Sequence, residues 1–217
     1  MDYQDLFELI RTRRSIRKFQ DKPVPEDLLL KALELATWAP NGGNYQPWRF
    51  LVITDKSIIH KMGDEVKSKT ILMGAWPEAE KFGEMVQRWQ KNSDFFRGAP
   101  VCIAVLMGKY LSMADQILKT RGEKDPLAQE MRSSRQLGNS TLQSVAAAIS
   151  YLSIALHLFG LGSTWVAGIQ VAKKEIERLL NVEPEWDLVD LIPLGYPAES
   201  PTPPPRKPVS EVVQFLR

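Results

Sequence analysis

Residues Arg11–Phe19 read RTRRSIRKF, with cations at Arg11, Arg13, Arg14, Arg17 and Lys18 and no acid among them. The planar fork of arginine meets phosphate or carboxylate oxygens two at a time, where lysine offers only a point charge. In an extended chain successive side chains alternate between faces, so Arg13, Ser15 and Arg17 would project together. Two guanidinium groups flanking a hydroxyl suit a terminal phosphate, which carries roughly 1.5 to 2 negative charges at neutral pH. The same run would also serve as the solvated basic end of a helix, where cations favour the dipole and need no ligand.

Composition narrows the choice of partner. The chain has 217 residues, 44% hydrophobic and 25% charged, with a formal net charge of +2. That length and balance fit one globular domain with a substantial core. The small net charge argues against nucleic acid or a membrane surface as partner, so a local basic cluster points to a small anion. A single cysteine, Cys102, excludes an internal disulfide, and with only His60 and His157 beside it no metal site is expected. Met1–Asp5 is polar and acidic, unlike a secretory leader, so a cytoplasmic location is expected. The apolar run Leu137–Leu161 contains Asn139, Gln143, His157 and several serines, and reads as a buried helix rather than a membrane span.

These residues need elements to position them. Helical spacing is predicted over Tyr3–Thr12, from Pro25 through Trp38, over Lys56 to about Lys69, over Leu137–Phe159 and over Ala172–Leu180. Trp48–Thr54, Val101–Met107 and Trp186–Leu194 read as strands, the second apolar on both faces and therefore interior. Pro40–Pro47 is a loop, and Gly160 with Gly162 supplies a left-handed helix stop. Leu137–Phe159 has almost no polar face, so it must be covered on every side, by the core, by a second subunit or by both. The tail 209–216 is apolar without local partners. No linker or repeat interrupts the chain, so 1–217 reads as one domain.

Four features now stand in order: Arg13-Arg-Ser-Ile-Arg17, Pro40-Asn-Gly-Gly-Asn-Tyr-Gln-Pro-Trp48, Gly160-Leu-Gly-Ser-Thr-Trp-Val-Ala-Gly168 and Pro205-Arg-Lys-Pro208. Each alone has an ordinary explanation as a turn, a cap or a soluble tail. As an ordered set they resemble the flavin-dependent nitroreductase family over nearly the whole length. The stretches 60–98 and 108–135 carry little of the resemblance and read as lid-like insertions.

The resemblance implies an α+β fold with a central mixed β-sheet surrounded by helices, in an intertwined homodimer with FMN at the interface. It implies that Arg13, Ser15, Arg17 and Arg206 bind FMN through its phosphate and the pyrimidine side of its ring. Arg14, on the opposite face with Lys18, is left backbone contacts or solvent-facing charge at the same site. Asn44 would hydrogen-bond the ring edge, with Pro40, Asn41 and Gly42 along it. Ala167 and Gly168 would present a backbone N–H to N5, and Arg17 would stabilise negative charge near N1 and O2. Val166-Ala167 stands where some members have Pro-Glu, which keeps the backbone donor but removes a side-chain carboxylate.

The implied activity is NAD(P)H oxidation by ping-pong hydride transfer through the flavin to a nitroaromatic, quinone or similar electron-poor acceptor. NADH or NADPH would be the donor, and no separate catalytic acid or base is required of the protein. The family also includes reductive dehalogenases and a flavin-fragmenting enzyme of cobamide synthesis, and a flavin-binding protein without turnover is a further alternative. The dimer interface is expected to exceed about 2,000 Å², with Arg13 and Asn44 reaching one flavin from different subunits.

Overall fold

A computed structural model describes residues 2–217. Four strands, β1 (Trp48–Ile53), β2 (Val101–Gly108), β3 (Gly162–Ser163) and β4 (Trp186–Gly195), form one sheet in the order β1-β2-β4-β3. All three ladders are antiparallel. The mixed character expected of the sheet enters only through a parallel bridge, Ser15 to Ser163, that hooks the basic stretch onto β3.

Alternation along β2 divides the core into two. Val101, Ile103 and Val105 pack on one face with Leu29, Ala32 and Ala36 of α2 (Glu26–Thr37) and with Val145, Ala148, Ile149, Leu152 and Leu156 of α7 (Ser140–Leu158). Cys102, Ala104 and Leu106 face the other side, against Ile59, Met62 and Val66 of α3 (Lys56–Gly74) and Ile176 of α8 (Lys173–Leu179). A strand wetted on neither face must be apolar on both, which is why VCIAVLM is continuous rather than alternating. Cys102 is fully buried, and desolvation pushes its thiol far above the ordinary range.

The remaining helices are peripheral. α1 (Tyr3–Thr12) starts on a capping box between Asp2 and Asp5 and leaves Leu6, Phe7 and Ile10 exposed. α4 (Glu84–Asn92) follows α3, and α5 (Met113–Arg121) with α6 (Pro126–Gly138) fills the stretch between β2 and α7. The expected helix Leu137–Phe159 begins later, because Asn139 turns left-handed (φ 36°) and its side chain caps α7 by accepting from the Leu142 N–H. By length and hydropathy Pro126–Leu158 would qualify as a membrane span. The break at Asn139 divides it, and the fully buried residues of α7 make that part a core helix.

α7 is not covered all round: Leu142, Tyr151 and Leu158 are exposed. After β4 the chain returns past the basic stretch and ends in a short turn, α9 (Val209–Val212), with Val213, Phe215 and Leu216 also exposed. Apolar surface on α1, α7 and the tail thus remains without cover inside one chain.

Candidate functional site

The basic stretch leaves α1 at Arg13, the last helix residue's neighbour in extended geometry, and pairs with two other segments. On one side the Ile16 N–H donates to Ser163 O at 3.0 Å, and the Thr164 hydroxyl donates to Ile16 O at 2.5 Å. On the other, the returning C-terminal segment bridges Phe19 to Pro197, and the backbone N–H groups of Arg17 and Lys18 donate to the Glu199 carboxylate at 2.6 and 3.0 Å. Gly162 is required by the first pairing, since a Cβ there would stand 2.6 Å from Cγ1 of Ile16. Gly160, at φ 74°, is the left-handed stop that turns α7 into β3.

This stitching opens a cleft of about 400 Å³ lined by Arg13, Ser15, Ile10, Ser150, Ser153, Ser163 and Trp165 among others. Arg13 is half-buried there, and its guanidinium has no carboxylate or hydrogen-bond partner among the described residues. Desolvation lowers its pKa, and the neighbouring charges of Arg14 and Arg206 lower it further. Arg206, at the far end of the sequence, is folded back near enough for its charge to act on Arg13. A desolvated cation beside two others is a costly arrangement unless an anion joins it. The chemistry of this lining, one desolvated guanidinium with serine hydroxyls alongside and the charge of Arg206 acting on it, fits a phosphate.

The other expected residues are placed differently. Arg17 does not line this cleft; its guanidinium lies over the Phe95 ring, 5.9 Å from the centroid, against the end of the first insertion. Arg14 is pinned by donating to the backbone oxygens of Arg11 and Arg13, each at 2.6 Å, and lines a neighbouring cavity with Thr12, His157 and Glu199. The grouping of Arg13, Ser15 and Arg17 on one face thus holds for the first two. Ala167 follows the bridge between Val166 and Leu191 and caps a 3₁₀ turn that Gly168 opens, with the Gly168 N–H free of acceptors among the described residues.

Pro40, Asn41, Gly42 and Asn44 lie toward the other end of α7. Gly42 donates its N–H to Ser144 Oγ at 3.4 Å, and Asn41 accepts from the Gln46 N–H at 2.8 Å. Gly43, Asn44 and Gln46 all have positive φ, 62°, 53° and 51°. Left-handed backbone at two non-glycine residues is strain held by the surrounding contacts, of the kind that accumulates at ligand sites. From Ser144 to Ser153 the helix rises roughly 14 Å at its 1.5 Å per residue. One chain therefore presents the arginine cleft and the loop as separated groups.

Several contributors carried no sequence signal. Glu199 is recognisable only once the chain folds back on Lys18. His157, which reads as one more polar residue on an apolar helix, sits with Nε2 3.0 Å from Thr12 Oγ1. Burial lowers its pKa, and Arg13 and Arg14 lower it further. Ser150 and Ser153 could have been found: polar residues three apart in an otherwise apolar helix mark one face.

Fold and site together define an α+β protein whose core helix separates a cleft lined by Arg13 from a loop with left-handed backbone. The nitroreductase family model matches residues 10–196, and the chain belongs to that family. A relative from Methanothermobacter thermautotrophicus, whose name assigns it as an NADH dehydrogenase/NAD(P)H nitroreductase, is 30% identical over 91% of this chain and 80% of its own length. Among solved structures, a BluB-like flavoprotein from Clostridium difficile 630 superimposes with a TM-score of 0.85 at 29% identity, covering 100% of both chains. An iodotyrosine deiodinase bound to FMN and 3-iodo-L-tyrosine gives 0.72 at 26% identity, covering 98% of this chain and 99% of that one.

Proposed function

We propose that this chain is an FMN-dependent NAD(P)H oxidoreductase that works as a homodimer on a nitroaromatic, quinone or similar electron-poor acceptor. The observation that carries this reading is Arg13: half-buried, without a partner among the described residues, within reach of the Arg206 charge, and lining a cleft with Ser15. The relatives' names, NAD(P)H nitroreductase and a deiodinase holding FMN, support the same cofactor and donor. When bound, FMN would supply hydride acceptance and donation at its ring.

The residues of the chain do the holding and tuning. Arg13 and Arg206 bind the phosphate, with Ser15 as a hydroxyl partner. Gly168 offers a backbone N–H that needs no reorganisation to meet a ring nitrogen, because the 3₁₀ turn already fixes it. Arg17, stacked against Phe95, holds positive charge between the basic stretch and the first insertion. Asn44 and the strained loop act on the ring's edge, and their distance from Arg13 within one chain is accounted for if two chains contribute to each flavin. The exposed apolar residues of α1, α7 and the tail would form that shared interface.

A second reading keeps cofactor and fold and changes the reaction, to reductive dehalogenation or flavin fragmentation. The likeness to a BluB-like flavoprotein and to a deiodinase favours it. Anaerobic titration separates the two. An oxidoreductase of the first kind is bleached by NADH or NADPH and re-oxidised by a nitroaromatic or quinone over many turnovers with FMN intact. Loss of FMN with turnover, or re-oxidation only by a halogenated ring, would replace the first reading by the second.

A further inference from the structure

The second insertion encloses a cavity of about 450 Å³ between α5, α6 and the start of α7, and the chemistry of its wall is cationic. Asp115, Lys119, Arg132 and Arg135 line it, so three cations face one carboxylate. That carboxylate is already taken. Arg135 donates to it at 2.6 Å and the Ser112 hydroxyl at 2.6 Å, and these bonds hold the Asp115 carboxyl well below the usual range. Lys119 and the half-buried Arg132 have no carboxylate partner among the described residues. Ser140 and Thr141, the first residues of α7, also line the cavity, and their N–H groups belong to the unpaired first turn of a 19-residue helix.

This cavity adjoins the strained loop. Tyr110 on its wall stacks on Tyr45, ring centroids 4.2 Å apart and planes inclined at 31°, and the Tyr110 hydroxyl comes within 3.9 Å of where a Cβ on Gly43 would stand. A half-buried arginine without a carboxylate partner among the described residues thus shares a cavity wall with Tyr110, whose ring meets Tyr45 of the loop.

We propose that this cavity, through Lys119 and Arg132, binds the carboxylate or phosphate group of the molecule that exchanges electrons at the loop. The inference rests on the reading that the loop 40–47 borders the flavin ring. The anion has two chemical sources, a phosphate on the nicotinamide donor or a carboxylate on the aromatic acceptor, and Lys119 with Arg132 would select either over an uncharged analogue.

The test uses the FMN-loaded protein and the double variant Lys119→Gln/Arg132→Gln. Dissociation constants are measured by calorimetric titration for two pairs of probes: 4-nitrobenzoate against nitrobenzene, and NADPH against NADH. Losing two charge-assisted contacts should cut the preference for the charged member of one pair by roughly tenfold or more. A fall in the first pair assigns the site to an acceptor carboxylate, and a fall in the second to the donor's extra phosphate. FMN content and Tm of the variant report its integrity. If both proteins hold FMN and neither preference changes, this inference fails while the flavin reading stands. If the unmodified protein takes up no FMN, the flavin reading fails and takes this one with it.

Discussion

Replacing Arg13 with alanine should weaken FMN binding while leaving the flavin-free protein almost as stable as before. The two halves of this prediction come from one observation: the guanidinium is half-buried, depressed in pKa by desolvation and by Arg14 and Arg206, and bonded to nothing among the described residues. Without an anion its charge contributes no native ion pair. Its removal should shift the apo Tm by no more than about 2–4 °C, equivalent to about 1 kcal/mol in a chain of this size. With a phosphate present, hydrogen bonds to a charged group contribute about 1.5–3 kcal/mol. At 1.4 kcal/mol per factor of ten, the FMN Kd should rise by about 10–150-fold. Arg13→Lys should fall between, since a point charge replaces the fork but not its geometry. Quenching of FMN fluorescence on titration gives the Kd, and thermal melts with and without FMN give the stability. A Kd within threefold of the unmodified protein, or an apo-protein destabilised by far more than the stated range, would refute the assignment of Arg13 to the phosphate.

Gly162→Ala forces a methyl group to within 2.6–2.9 Å of three Ile16 side-chain atoms, and overpacking of this kind costs about 1–3 kcal/mol. Both Tm and FMN affinity should fall, because Ile16 and Ser163 position Ser15; a melt and an FMN titration check it. His157, with its pKa lowered below the unfolded value, leaves the apo-protein at full stability above pH about 6.5. Stability should be lost as pH falls below that value through the folded pKa, where the unfolded chain binds the proton more readily. His157→Gln should flatten this acid-side slope in urea unfolding series, and an unchanged slope would show that another group titrates. Sedimentation at micromolar concentration should give twice the chain mass; a stable monomer would remove the interface on which the two-chain flavin site depends.

The sequence made the interior legible and left the surface connections obscure. VCIAVLM could only be a strand buried on both faces, and helical spacing over Glu26–Thr37 and in α7 follows directly from core packing. The sheet's sense did not follow, because pairing direction depends on crossovers that periodicity does not encode. The start of α7 was hidden by apolar continuity: Leu137 looks helical, but Asn139 in left-handed geometry resets the chain two residues later. At the site, motif order singled out Arg13, Ser15 and Arg206; the structure lines one cleft with Arg13 and Ser15 and brings the Arg206 charge within reach of Arg13. Alternation puts Arg17 on the same face, while in the structure its N–H meets Glu199 and its guanidinium lies over Phe95, both far away in sequence. Lys119 and Arg132 sit in a variable-looking insertion, where only the fold reveals that Asp115 is committed to Arg135.

The most direct test of the account is the visible spectrum of the purified protein before and after anaerobic NADH or NADPH. The account predicts a flavin spectrum with about one FMN per chain, released on heating, bleached by at least one nicotinamide and restored by a nitroaromatic or quinone. A colourless protein that cannot be reconstituted with FMN would contradict it.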